Sequence, residues 1–125
     1  MTMELGQEFT LAYSFHWELP ISTAAQQSIA AYGTDEDRIH LAGHFSVTPD
    51  TLELLAMVPS PDVRLAVAEN PATPWEALAR MTHDHTRGVK VAANAAIEQL
   101  PDTQRNAARA MIASPMQRLR SRFSA

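Results

Sequence analysis

A chain of 125 residues, 46% hydrophobic and 19% charged, has the size and composition of one folded domain that buries a core without staples. It contains no cysteine, which excludes disulfide scaffolds, thiolate nucleophiles, iron–sulfur clusters and thiolate zinc sites. The net charge of −4 conceals a division: residues 1–79 carry eleven carboxylates against Arg38 and Arg64, and residues 80–125 carry eight cations against Asp84, Glu98 and Asp102. Such segregation suggests a partner for at least one end. There is no apolar run of about 18 residues and no basic leader ahead of an apolar stretch. The expectation is a cytoplasmic protein with neither membrane span nor signal peptide.

In chain order, the first element alternates with period two. Phe9, Leu11, Tyr13, Phe15, Trp17 and Leu19 fall on one side, and Thr10, Ala12, Ser14, His16 and Glu18 on the other. This pattern predicts a β-strand that stops at Pro20. A lone strand leaves unpaired backbone groups, so it is expected either to pack flat on the first helices or to pair with its copy in a homodimer, which is the preferred reading. Its polar face lacks Arg and Lys, a poor match to ribbons that read DNA.

Beyond Pro20 the pattern predicts eight short helices: 22–32, 35–45, 49–58, 61–70, 74–82, 86–99, 102–113 and 115–123. Prolines at 20, 49, 59, 61, 74, 101 and 115 stand at or just before helix starts, where a missing N–H costs little. Ser22, Thr48, Ser60, Thr73, Asp102 and Ser114 are suited to N-capping. Helices this short need neighbours to persist, and a stacked array provides them. The arrangement is one domain over 1–125, with a strand arm at 1–20 and helical repeats at 21–125. Leu55, Val67, Leu78 and Val91 are the expected core.

A repeat is visible in the spacing. Thr48-Pro49 recurs as Thr73-Pro74 after 25 residues, the segment from Asp37 aligns without gaps on that from Asp62, and Arg38, Arg64 and Lys90 stand 26 apart. The run Val63-Arg64-Leu65-Ala66-Val67-Ala68-Glu69-Asn70-Pro71, followed by Thr73-Pro74-Trp75-Glu76-Ala77-Leu78, resembles the leucine-rich repeat variant family. Val89-Lys90-Val91-Ala92-Ala93 repeats part of it with Lys for Arg. The resemblance spans about residues 37–97 and implies a right-handed solenoid of alternating α and 3₁₀ helices, with no activity common to its members. Some members carry a cysteine-ligated cluster upstream, which this chain cannot form. The fold class expected is therefore mainly α, a short-helix solenoid preceded by one strand.

Few residues suggest chemistry. His40 and His44 are spaced i, i+4 and could hold a metal, with Asp37 one turn earlier as a third ligand, but the Glu of a hydrolytic zinc helix is missing. His83-Asp84-His85 falls in a predicted turn. No nucleophile elbow and no glycine-rich phosphate loop occurs, so neither an enzyme nor a cofactor is expected. Arg38, Arg64 and Lys90 could line one edge and track phosphates, or instead pair with carboxylates such as Asp37 and Asp62 and bridge helices. Arg105, Arg109, Arg118, Arg120 and Arg122 form a denser basic group. These features favour a non-enzymatic protein-interaction module that dimerises through its strand. The alternative is a nucleic-acid-binding protein using the Arg-rich C-terminal third.

Overall fold

A computed structural model describes residues 17–124, with side chains from 17 to 113. Seven helices lie in this range: α1 (Thr23–Tyr32), α2 (Asp35–Ala42), α3 (Pro49–Leu55), α4 (Pro61–Ala68), α5 (Trp75–Met81), α6 (Arg87–Glu98) and α7 (Asp102–Ser124). They form two rows. In one, α4 packs between α2 and α6; in the other, α1 packs on α3 and α5 on α7. Helices consecutive in sequence also pack across the rows, as α1 does on α2, α3 on α4, and α5 on α6.

Buried positions set the register of the repeat at 26 residues. Leu41, Val67 and Ala93 are each fully buried, as are Ile29 and Leu55, whose equivalent Met81 is nearly so. Leu52 and Leu78 are equivalent, and so are Val63 and Val89. Helix starts agree: Thr23, Pro49 and Trp75 in one row, and Asp35, Pro61 and Arg87 in the other. The ungapped 25-residue alignment is therefore out of step by one. It would place Leu41 opposite half-buried Ala66 and lose the column. In the structural register Pro74 occupies the place of Thr48, and Thr73 that of Val47, both of which are buried.

Local signals account for most helix ends. The Ser22 hydroxyl accepts from the Ala25 N–H at 3.2 Å, and that of Thr48 from Thr51 at 3.3 Å. Thr34 and Asp37 form a reciprocal capping box on α2. Pro49 and Pro61 open α3 and α4. Ser60 makes no side-chain cap bond. Thr73 turns inward instead of capping, and its hydroxyl donates to the Val67 carbonyl at 2.6 Å. Gly33 closes α1 so tightly that a Cβ there would lie 2.6 Å from the Ile29 carbonyl oxygen.

Several expectations need correction. Of the predicted strand, Trp17 and Glu18 form a turn and Leu19 a bend; Phe9, Leu11, Tyr13 and Phe15 lie outside the described residues. Among the described residues no 3₁₀ helix occurs, and both rows consist of α-helix. Bonds of the i→i+3 kind occur at helix ends, as where Met57 N–H donates to Leu54 and His44 N–H to Leu41, and in the linkers, as where Val47 N–H donates to His44 and Thr73 N–H to Asn70. The two helices predicted at 102–113 and 115–123 are one, α7, which runs through Pro115. Val91 is not core, since it is 56% exposed and its neighbour two residues back, Val89, takes the inward position. The β-like valine alternation of Val89 and Val91 cannot put both on the inner face of a helix.

Gln26 occupies the place of Leu52 and Leu78 and is 1% exposed. Its amide donates to the carbonyls of Ile21 and Ser46 at 2.8 and 2.9 Å and accepts from the Thr48 N–H at 3.0 Å. The first repeat thus exchanges a leucine for a polar clamp that binds the α2–α3 turn to the segment preceding α1.

This packing predicts unequal costs for two similar substitutions. Val67→Ala should destabilise by about 1–3 kcal/mol through lost burial and a cavity, whereas Val91→Ala should stay within about 0.5 kcal/mol of the parent. Urea denaturation followed by circular dichroism measures both, and equal losses would place the wrong valine in the core.

Candidate functional site

The turns between α2 and α3 and between α4 and α5 form one edge of the array. Asn70 holds the second of them. Its amide donates to the Ala42 carbonyl in the preceding repeat at 2.5 Å, and its side-chain oxygen accepts from the Ala72 N–H at 2.8 Å. With Thr73 tied to Val67, residues Asn70–Pro74 become a fixed ridge whose apolar crest is Pro71 and Ala72.

His44 stands 26 residues earlier and does the same work. Nε2 lies 2.5 Å from the Trp17 carbonyl, which can only accept, so Nε2 carries the proton. Nδ1 then accepts from the Ser46 N–H at 3.1 Å, as Asn70 does from Ala72, and from the Ser46 hydroxyl at 2.7 Å. That hydroxyl in turn accepts from the Ile21 N–H at 3.0 Å. Trp17 stacks on His40 with ring centroids 5.2 Å apart, and Phe45 stacks on His44 at 4.5 Å. The spacing that suggests a metal pair therefore serves another purpose: both His44 nitrogens are engaged in hydrogen bonds and the His40 ring lies against an indole. Among the described residues no group of three or more potential ligands converges.

Two open grooves flank the ridge. One, of about 470 Å³, runs between the two turns and is lined by Ile39, Phe45, Val47, Ala66, Pro71 and Ala72 among others. Phe45 is 69% exposed there. The other, of about 490 Å³, lies where α3 and α5 part, and Asp50, Glu53, Glu76 and Trp75 line it together with prolines 49, 71 and 74. Trp75 is also packed against the second core cluster around Leu78 and Ile97, which fixes it in place. A smaller hollow of about 190 Å³ continues along the edge beside Leu78 and Leu100.

Two of the three cations in the ladder are spent on structure. Arg38 donates to the Ala30 and Ala31 carbonyls that end α1, at 3.0 and 3.2 Å, and reaches Asp35 at 3.4 Å. Arg64 donates to the Val58 and Pro59 carbonyls at 2.8 and 2.7 Å and grips Asp84 with two nitrogens at 2.8 and 3.1 Å. The carboxylates chosen are thus Asp35 and Asp84, not Asp37 and Asp62. Lys90 is exposed. Burial pushes the Asp84 carboxyl up, but hydrogen bonds from Arg64 and the Thr86 N–H, with the Arg64 charge, outweigh it and hold the group below the usual carboxylate range. His83 and His85 flank it, exposed. In the basic group Arg105 pairs with Asp102 at 2.5 Å and Arg109 with Glu98. The side chains of Arg118, Arg120 and Arg122 lie outside those described.

Sequence reasoning missed the grooves and the equivalence of His44 and Asn70. The 26-residue interval between Arg38 and Arg64 holds the signal for the latter, because extending it to position 70 leads back to 44. The family model of the leucine rich repeat variant matches residues 61–85, which contain α4, the ridge and α5. No curated protein and no solved structure matches the chain.

Two measurements test this assignment of roles. His44→Asn retains an acceptor for the Ser46 N–H and should cost less stability than His44→Ala, which should lose about 1–3 kcal/mol by stranding that donor and the Trp17 carbonyl; equal losses would deny the equivalence. For Asp84, a folded pKa below the unfolded one stabilises the protein above the unfolded value of about 3.9 and ceases to as pH falls through the folded value. Asp84→Asn should therefore be less stable than the parent at neutral pH, with the gap closing below about pH 4. A gap independent of pH would show that the Arg64 pair does not set it.

Proposed function

Because the leucine rich repeat variant model matches residues 61–85, we propose that this chain is a non-enzymatic protein-interaction module whose binding face is the turn edge. The observation that carries the reading is the ridge with its two grooves. Asn70, Thr73 and His44 spend their hydrogen-bonding capacity inward, leaving an outer surface of proline, alanine and exposed Phe45 on a stiff frame. Preorganised apolar surface of this kind loses little entropy on binding. The Ser46 hydroxyl on His44 Nδ1 pairs a hydroxyl with a base at this edge, but the same two side chains also hold the Ile21 N–H and the Trp17 carbonyl, a framework use that accords with binding rather than turnover.

Homodimerisation through residues 9–19 belongs to the same proposal. Its support is the period-two pattern of Phe9, Leu11, Tyr13 and Phe15; Trp17, seated on His40 of its own chain, belongs to the array and not to the pairing segment. The nucleic-acid alternative has less to draw on. Arg38 and Arg64 are held by backbone carbonyls and carboxylates, and Arg105 and Arg109 by ion pairs, so four of its candidate cations already have partners.

Capture from the source cell with the intact chain, with and without nuclease, tests the reading. Proteins should remain bound after nuclease and be lost with Phe45→Ser; nuclease-sensitive capture unaffected by Phe45→Ser would favour the alternative. Light scattering should report a dimer that Phe9→Ser with Phe15→Ser converts to monomer, with Trp17 left in place because it packs on the array. A monomer for the intact chain at high micromolar concentration would remove dimerisation from the proposal.

A further inference from the structure

Resting on the interaction-module reading, we infer that the groove between α3 and α5 receives an arginine side chain from an extended segment of a partner protein, while an apolar residue of that segment lies in the groove beside Phe45. The first groove is lined by three carboxylates, those of Asp50, Glu53 and Glu76, and by no cation. Among the described residues Asp50 and Glu76 form no ion pair, and Glu53 meets Arg80 at 2.8 Å with both side chains substantially exposed. A pair that open contributes little and yields to a competing guanidinium. Asp50 and Glu76 occupy equivalent first-turn positions of α3 and α5, where the helix dipole favours negative charge. That accounts for two acids but for neither Glu53 nor the apolar lining.

The lining also selects among cations. Trp75 offers an indole to a charge that the carboxylates attract, and a guanidinium both stacks on an aromatic face and forks two bonds to a carboxylate, which an ammonium cannot. The second groove has different chemistry, with Ile39, Phe45, Val47 and Ala66 in its lining. Both grooves share Pro71 and Ala72, so a chain crossing that two-residue ridge meets three carboxylates on one side and, on the other, a largely apolar lining with the single acid Glu69. Three carboxylates repel phosphate, which favours a protein segment over a nucleic acid as the occupant.

The test uses the intact chain and a fluorescein-labelled nonapeptide, Gly-Leu-Gly-Arg-Gly-Arg-Gly-Leu-Gly, with versions carrying Gln or Lys in place of both arginines. Anisotropy should show saturable binding that strengthens at low salt, is weaker for Lys and is lost for Gln. Asp50→Asn with Glu76→Gln should weaken binding about three- to tenfold. The control, Glu36→Gln with Asp62→Asn, removes the same charge from first turns at the other end of the helices and should leave affinity unchanged. Circular dichroism confirms that the variants remain helical, and the Gln peptide tests the inference on the unaltered chain. Equal binding of the Arg and Gln peptides, or equal loss in the two variant pairs, overturns it. So does self-association of the intact chain that Asp50→Asn with Glu76→Gln abolishes, since the occupant is then a second copy. Should no peptide bind while captured proteins still depend on Phe45, this inference falls and the module reading stands.

Discussion

Helices of seven or eight residues do not persist alone in water, and every other feature of the molecule follows from how they are held. Stacking at a constant interval of 26 residues provides the support, because equivalent positions such as Leu41, Val67 and Ala93 are buried in one shared core cluster. Leu41, Val67 and Ala93 shrink along that column while remaining fully buried, so neighbouring positions must compensate in volume. The turns between the rows are consequently locked in length, since one added residue would rotate the following helix and expose its apolar face. A ridge built from such turns is rigid because the core requires it.

Electrostatics divides the molecule along the same lines. Arg38 and Arg64 are drawn inward, the first onto carbonyls at the end of α1 and the second onto the Val58 and Pro59 carbonyls of the α3–α4 linker and onto Asp84, where they satisfy orphan acceptors. The acids at helix starts stay outward. One edge is thereby acidic and apolar, while the C-terminal third keeps its arginines. The chain-level asymmetry in charge is thus in part a by-product of a capping scheme.

Much of this was legible in sequence, for physical reasons. Proline and cap residues punctuate helices locally, so the starts at 23, 35, 49 and 61 could be read within a residue. The ends expected at 45, 58 and 70 are overextended by two or three residues, since the last turns tighten and drift into the linker without a sequence mark, whereas the end at 32 is matched and those at 82 and 99 are one residue too long. The break expected at Pro115 is absent because a proline in a helix interior removes one hydrogen bond without forbidding the helix. Val91 misled because alternation along Val89 and Val91 looks apolar on both sides, and only one side faces the partner row. The spacing of His40 and His44, from which no metal site was expected, gives no sign that a turn needs a side chain to bridge back one repeat, a need that asparagine meets at position 70 and imidazole at 44. The acidic groove could not be read, because it joins residues from two helices that are 26 positions apart and depends on α3 and α5 separating.

The claim that the turn edge is the binding face is tested most directly by hydrogen exchange on the intact chain with and without a captured protein. Protection should appear at residues 43–47 and 70–76, on the ridge and its two grooves, while the amides of α7 exchange unchanged. Protection confined to α7 with the edge unaffected would contradict it, and would move the functional surface to the arginine-bearing end of the chain.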